Sequence, residues 1–491
     1  VRVRPIVWLC GTAAVSLAFL LPLVFGPPER VVRFLSDDAY YYLSVAKHVS
    51  EGRGPTSDTI TRTTGFHPLW MFLLSLRPGV SWALGLGTFL FLATTVPLGF
   101  TARTLWGPPT GWVAALLWLA NPHAVLLVAT GMEGSLYGAI LASVAWALTR
   151  VAREGSWCSV LLAGAAAGLA VVARTDGLLV VPLAALWVAW VGEGGAMRRA
   201  GRSIAFVAVA LVPFALWLAW AHGWTGRWIQ GSADTKTLWR EALNAEEGAV
   251  VLTLALLGAW AVKAFAKVPA LKWGIPFLAA AASTSIRGGR VLVHGFWVVP
   301  LLSGTAYALF LPKLWGWYFA PALVGLTLLA APALVRWFEL CGRRVQGSLL
   351  LAIVLIGAES FGYLSVKSVR GRNAYQEDML ATAFWMRDHL LPGTVAAAWN
   401  SGIYGWYSGL PVVNLDGLIN NEIADRIRSG ESEEAYLERR RIEVLVDYDE
   451  TVERQIDPGW RERHLRPLFR RTKTHGGGKN ITVWGIGDIP R

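Results

Sequence analysis

The chain is poor in charge and in cysteine. Of its 491 residues only 16% are Asp, Glu, Lys or Arg, while 54% are hydrophobic and 26 are tryptophan. A soluble chain of this length carries about a quarter charged residues. The deficit therefore excludes an ordinary soluble fold and points to a protein whose solvent is largely lipid. Cysteine occurs three times, at Cys10, Cys158 and Cys341, each in or beside an apolar run. A disulfide framework and a Cys-based metal site are excluded on that count. There is no Gly-rich phosphate loop, no basic–aromatic strand cluster, no internal repeat and no low-complexity linker. Nucleic acid is not an expected partner.

What is present is a succession of apolar runs of roughly 18 or more residues, long enough to cross a bilayer. The first, Ile6 to Phe25, is too long for a signal-peptide core. Gly26-Pro-Pro-Glu follows it instead of a small-residue cleavage site, so it is read as a retained first helix. The net charge of +12 sits in the apolar part. From Val366 onward Lys/Arg and Asp/Glu balance at 18 each, which leaves 27 against 15 before it. A basic surplus among spans reads as positive-inside anchoring. With Arg2 and Arg4 ahead of the first helix, the N-terminus is expected in the cytoplasm. About eleven spans then place the C-terminus outside. The expected fold class is a polytopic α-helical membrane protein, with a transmembrane part over 1–365, a first outer loop over 26–81, and an extracytoplasmic α/β domain over 366–491. In that domain Val395–Ala398, Val412–Leu415, Glu443–Asp447 and Ile481–Trp484 read as strands, and Tyr375–Leu390 and Glu431–Arg441 as helices. Residues 273–314 fit either one span plus a surface helix or a re-entrant piece.

The first outer loop carries the densest chemistry. Ser36-Asp37-Asp38-Ala-Tyr-Tyr-Tyr-Leu opens a helix expected over Ala39–Ser50, whose Tyr/Leu/Val/Ala face suits a membrane surface. Ser and Asp before a helix serve as caps, but two adjacent carboxylates exceed what one cap needs. Neighbouring side chains diverge, so a cap and a general base can coexist there. A carboxylate beside the membrane and near tyrosine rings would have a raised pKa, which suits base work. In Gly65-Phe-His-Pro-Leu-Trp70, Pro68 starts a helix and Trp70 anchors at the interface. His67 is left over, either as a structural donor or as a group that holds acceptor, phosphate or metal.

Glu133, Arg174 and Asp176 stand at the outer ends of spans, where ionisable groups face a cavity or pair with one another. Lys236 and Arg290 are outer-side cations able to neutralise a phosphate. Trp315, Trp317 and Tyr318 form either an aromatic belt or a platform for a sugar or prenyl chain. Asp416, after a strand, suits a turn.

The order of these motifs resembles the GT-C superfamily of polyprenyl-phosphate-sugar-dependent glycosyltransferases. The motifs are Asp-Asp-Ala-Tyr, Gly-Phe-His-Pro-Leu-Trp, Gly-Met-Glu133, Ala-Arg174-Thr-Asp-Gly, Trp-Tyr-Phe-Ala-Pro321 and Val-Val-Asn-Leu-Asp416-Gly-Leu. Among its bacterial members the chain is similar to protein O-mannosyltransferases, aminoarabinose transferases and mycobacterial-type arabinofuranosyltransferases. The resemblance implies an inverting transfer of a mannose- or arabinofuranose-type sugar from a polyprenyl-phosphate donor to a hydroxyl of a glycan, lipid or protein at the outer face of the plasma membrane. It implies an aspartate of the first outer loop as base, Asp37 or Asp38, a second acidic position matching Glu133, and a phosphate-side cation matching Lys236. Some members use a divalent cation. No compact ligand set is visible in this chain, and no metal site is expected. A flippase of lipid-linked sugars and a non-catalytic envelope-assembly protein are the alternatives. A flippase would place its charges near the membrane midplane on repeated, broken helices.

Overall fold

The computed structural model describes residues 5–191, 194–266, 291–311, 314–340, 343–475 and 478–487. Arg290 and residues 273–290 and 312–313 of the ambiguous 273–314 stretch lie outside the described residues, as does Cys341. Among the described residues five helices are long and apolar enough to cross a membrane: Ile6–Val24, Val80–Trp106, Gly134–Glu154, Ala196–Thr225 and Gly316–Arg336. Two further pairs qualify only when each is joined across a bend: Pro108–Leu119 with Pro122–Ala129, and Gly231–Glu247 with Ala249–Lys263. The other expected crossings fall on the shorter apolar helices Trp157–Ala173, Thr175–Val191 and Val299–Phe310, or on the long helix Arg343–Arg370.

Without a water-driven hydrophobic force between them, helices in lipid associate through close backbone approach. The tightest case joins Trp157–Ala173 to Ala196–Thr225. Gly164 and Gly168, one turn apart, face the carbonyl oxygens of Phe206 and Ala210, and a Cβ at either glycine would stand 2.8 Å from them. The span from Gly316 to Arg336 lies at the centre of the bundle, with 94% of its apolar window buried.

The C-terminal part is a five-stranded mixed sheet: β1 Ala396–Ala398, β2 Val412–Asn414, β3 Val444–Tyr448, β4 Leu465–Arg471 and β5 Ile481–Ile486. Its order is β2-β1-β3-β5-β4. β1 pairs in parallel with β2 and β3, while β5 is antiparallel to β3 and β4. Alternate residues separate two cores. Ala396, Ala398, Val444 and Val446 join the main core, and Ala397, Val413 and Leu445 join a second one on the far face. Four strands and the helix Gln376–His389 match the sequence reading. β4, Leu-Arg-Pro-Leu-Phe-Arg-Arg, is an addition. It is an exposed edge strand, irregular at Pro467/Phe469. Arginines and a proline are what an edge tolerates, and they erase the apolar alternation that marks a strand.

Two expectations are corrected. Trp70 is no interface anchor: it is fully buried, and its indole N–H donates to the Gly131 carbonyl at 3.3 Å. The helix of the first outer loop, Asp37–Ser50, buries Tyr40, Tyr41 and Tyr42 and does not lie on a membrane surface. The helix Ser401–Ser408 of the C-terminal domain covers one side of it and the helix Pro68–Ser75 another. The Tyr/Val/Ala face is apolar because protein, not lipid, packs on it.

Candidate active site

Asp37 and Asp38 part company at the first turn of their helix. Ser36 makes no side-chain cap there. Asp37 instead caps a different helix, Ser401–Ser408: its carboxylate accepts the backbone N–H of Gly402 at 3.1 Å and of Ile403 at 2.8 Å. Two orphan donors of a helix start are satisfied by one carboxylate. Among the described residues only the backbone N–H of Asp38 itself bonds to the carboxylate of Asp38, which is half-buried and lines two cavities. The three tyrosines that follow fix this segment. The Tyr40 ring packs on Tyr407 with centroids 5.4 Å apart, the Tyr41 hydroxyl donates to the Trp399 carbonyl at 3.2 Å, and the Tyr42 hydroxyl accepts the His67 N–H at 3.2 Å.

The larger cavity, about 490 Å³, opens between the first outer loop and the span ends. Its polar end holds Asp38, His67, Glu133, Arg174, Asp176 and Lys236; Leu178, Leu179, Phe310 and Leu311 make the rest largely apolar. Arg174 is almost fully buried and bonded to two carboxylates, Glu133 through one terminal nitrogen and Asp176 through Nε at 2.9 Å. Tyr307 donates to the other oxygen of Asp176. His67 Nε2 stands 3.8 Å from Glu133, and burial pushes the imidazole well below its ordinary pKa, so the ring is neutral at pH 7. His67 Nδ1 and Glu133 Oε2 are buried and have no partner among the described residues.

Lys236 comes from the helix Gly231–Glu247 and reaches the Tyr318 hydroxyl at 3.3 Å. That helix is seated by its neighbours. The Gly231 N–H donates to Thr64 Oγ1 at 3.2 Å, Thr235 donates to the Gly417 carbonyl at 3.0 Å, and Asp234 pairs with Arg227 and Arg428. The charge of Arg174 is balanced by two carboxylates, whereas Lys236 forms no ion pair among the described residues, which leaves its ammonium available to an anion.

The second cavity, about 240 Å³, lies against the C-terminal domain. Asp37, Asp38, Trp315 and Asp416 line it, and Lys236, Trp317 and Tyr318 lie on both cavities. Asp38 therefore forms part of the wall that the two share. Burial lifts its carboxyl to about 6, with Lys236 pulling down and Glu133 pushing up. Burial likewise lifts Asp37 to about 7 and Asp416 to about 8, each against its backbone N–H bonds.

Of the side chains singled out from sequence, ten are thus gathered around these two cavities, and Arg290 lies outside the described residues. Tyr307, Arg372 and Tyr448 were not foreseen, and Asp416 was foreseen only as a turn residue. It does build that turn, accepting the Leu418 N–H at 2.8 Å, and it also faces the cavity. Nothing in the local sequence of Tyr307 or Tyr448 separates them from the chain's other aromatic residues. Among the described residues no three His, Cys, Asp or Glu side chains converge as a metal-ligand set.

A family model described as a domain of unknown function, DUF8728, matches residues 367–484. No curated protein matches the chain. Among solved structures, ArnT from Cupriavidus metallidurans bound to undecaprenyl phosphate aligns with a TM-score of 0.61 at 13% identity, over 96% of this chain and 98% of that one. The Archaeoglobus fulgidus oligosaccharyltransferase in complex with zinc and sulfate aligns with a TM-score of 0.59 at 14% identity, over 98% of this chain and 74% of that one. The archaeal oligosaccharyltransferase AglB from the same organism, in complex with an inhibitory peptide and a dolichol-phosphate, gives 0.51 at 13% identity, over 98% and 75%. The chain shares the fold of ArnT and of the archaeal oligosaccharyltransferase. It joins an apolar helical bundle to a small C-terminal mixed sheet, as the motif order implies.

Proposed function

We propose that the protein is an inverting glycosyltransferase that moves a sugar from a polyprenyl-phosphate donor to an acceptor hydroxyl at the outer face of the membrane. The observation that carries this reading is Asp38, a carboxylate to which no other described residue donates, set in the wall between an apolar-tailed cavity with a cationic end and an aromatic, polar one. An amphipathic donor matches the first cavity, with its alkyl chain along Leu178, Leu179 and Phe310 and its phosphate at Lys236. ArnT and AglB have been solved with polyprenyl phosphates, and the same kind of ligand suits the charge arrangement here.

In this mechanism the acceptor oxygen attacks the anomeric carbon while Asp38 takes its proton. The bond from that carbon to the phosphate oxygen breaks, and the electron pair leaves on the phosphate. One displacement inverts the anomeric configuration. The leaving group is a stable anion, so no general acid is required, and Lys236 stabilises the charge that develops on it. Asp37 holds the loop through its bonds to Gly402 and Ile403. Glu133, Arg174 and Asp176 form a paired scaffold that fixes the span ends around the donor head, with His67 neutral beside it. The resemblance favours a mannose- or arabinofuranose-type sugar; Arg2 and Arg4 ahead of the first helix favour a cytoplasmic N-terminus, and the balanced charge from residue 366 onward favours a division into a catalytic part over 1–365 and an outer domain over 366–491.

The test is transfer from radiolabelled polyprenyl-phosphate mannose, arabinofuranose, glucose and galactose by the purified protein with membrane extract as acceptor source. Transfer from one donor that vanishes in Asp38→Asn supports the reading. Transfer unchanged in Asp38→Asn sinks the proposed base.

A further inference from the structure

The smaller cavity has one wall that belongs wholly to the C-terminal sheet. β1, β2 and β3 run parallel, with β1 between the other two. From β1 the chain goes to β2 on one side and later reaches β3 on the other. The carboxyl ends of β1 and β3 thus flank a crevice where the connections diverge, the position at which open α/β sheets hold small ligands. Asn400 follows β1, Asp416 follows β2 and Tyr448 ends β3, and all three line the cavity.

This edge is braced. Asp447, fully buried, accepts the N–H groups of Trp399 and Asn400 at 2.9 Å, and the Asn400 amide NH₂ at 2.9 Å. Its bond to that NH₂ fixes the amide, and among the described residues nothing donates to the Asn400 side-chain oxygen. Asp416 Oδ1 accepts the Leu418 N–H at 2.8 Å, and the Asn414 side chain also bonds to this carboxylate. Its Oδ2 lies 3.4 Å from the Tyr41 hydroxyl, whose single proton also faces the Trp399 carbonyl at 3.2 Å. Acceptor capacity is left over on both side chains.

Across the cavity, Trp315 and Trp317 stack in parallel, 5.6 Å between centroids. Aromatic faces carry negative potential and attract the C–H edges of a ring. Planar oxygen acceptors on one wall and indole faces on the other suit a ring that bears hydroxyls at its rim and C–H groups on its face. An alkyl chain would strip water from Asp37, Asp38 and Asp416 without replacing it. An anion would meet those three carboxylates against two cations, Arg372 and Lys236.

We propose that the strand-end edge of the C-terminal domain is a saccharide subsite that takes the terminal sugar of a neutral glycan, with Asp416 and Asn400 receiving its hydroxyls. As the acceptor site of the transfer, it rests on the reading of Asp38 as base. Asp416 touches substrate there but exchanges no proton with it.

The test measures binding without donor. Neutral oligosaccharides ending in mannose, arabinofuranose or galactose are titrated into the purified full-length protein and followed by calorimetry and saturation-transfer NMR. Binding of one of them is expected in the wild type and in Asp38→Asn. At pH 9, above the Asp416 pKa of about 8, affinity in Asp416→Asn, whose amide oxygen can still accept the Leu418 N–H, should fall roughly tenfold, the scale of one hydrogen bond to a charged group, with the melting temperature unchanged. Absence of binding by every neutral saccharide, or unchanged affinity in both Asp416→Asn and Asn400→Ala, overturns the subsite. Saturable binding of a peptide or of phosphatidylglycerol vesicles in place of the saccharides overturns it too. Saccharide binding with no transfer from any donor leaves the subsite standing and counts against the transferase reading alone.

Discussion

The Ile403 N–H donates to the Asp37 carboxylate at 2.8 Å across a sequence separation of 366 residues. With the Gly402 bond beside it, this contact fastens the first outer loop to the C-terminal sheet and sets Asp38, the next residue, in the wall between two cavities. The position of Asp38 is thus controlled by a domain that begins more than 300 residues later.

Replacing either aspartate should therefore separate two effects. Asp38→Asn should lower transfer by roughly 10²–10⁴-fold, the usual range for a general base, with donor retention on the protein unchanged. Asp37→Ala should lower the melting temperature through loss of a helix cap worth roughly 0.5–2 kcal/mol, and lower transfer less than Asp38→Asn does. Equal losses of transfer with equal losses of stability would remove the distinction between the two.

The pH profile follows from the Asp38 pKa of about 6. The group must be ionised to accept a proton, so transfer should be flat above pH 7 and fall as pH drops through 6, approaching tenfold per unit. Burial raises this pKa and Lys236 lowers it. Lys236→Met should therefore move the inflection upward. An inflection near 4 in the wild type would mean a solvated carboxylate and a different base.

Lys236→Met should also raise the donor KM, roughly tenfold or more, since a hydrogen bond to a charged group contributes about 1.5–3 kcal/mol. Lys236→Arg should restore part of it. Retention of radiolabelled polyprenyl phosphate by the purified variants is the direct readout.

Arg174 answers to stability before rate. It is buried with Glu133 and Asp176, and Arg174→Met would leave two carboxylates without their cation. Removing one partner of such a buried pair costs roughly 3–5 kcal/mol. A thermal shift should show it, and the double variant Arg174→Met with Glu133→Gln should recover part of the loss.

Gly65 reports on docking. A Cβ there would overlap the carbonyl oxygen of Leu418, a backbone atom with little room to move. Gly65→Ala should destabilise by about 1–3 kcal/mol, as overpacking does. It should also raise hydrogen exchange at Gly402 and Ile403, because the loop and the domain would no longer seat together. Unchanged exchange at those two amides would disprove the docking role.

Much of this was legible in the sequence. Poor charge and long apolar runs announced the bundle, and short strand patterns marked four of five strands. The motifs around Asp38, His67, Glu133, Arg174 and Trp317 marked the cavity. The separate positions of Asp37 and Asp38 were not legible. Two neighbouring carboxylates look alike until a partner from another part of the chain chooses one. The buried tyrosine face of the first-loop helix was misread for a related reason: a protein surface and a lipid surface ask for the same apolar residues. β4 stayed hidden because an exposed edge needs no apolar alternation.

The seating of the first loop also has a consequence for biosynthesis. Asp37 is held by Gly402 and Ile403, and Thr64 by Asn421, all contributed by the last quarter of the chain. Contacts this distant in sequence form late. A nascent chain that has inserted every helix up to residue 340 would still have an unanchored first loop and an Asp38 without its second cavity. Competence would arrive only once the C-terminal sheet has folded back onto the start of the chain, so shortened products made during synthesis would carry the apolar bundle and remain inert.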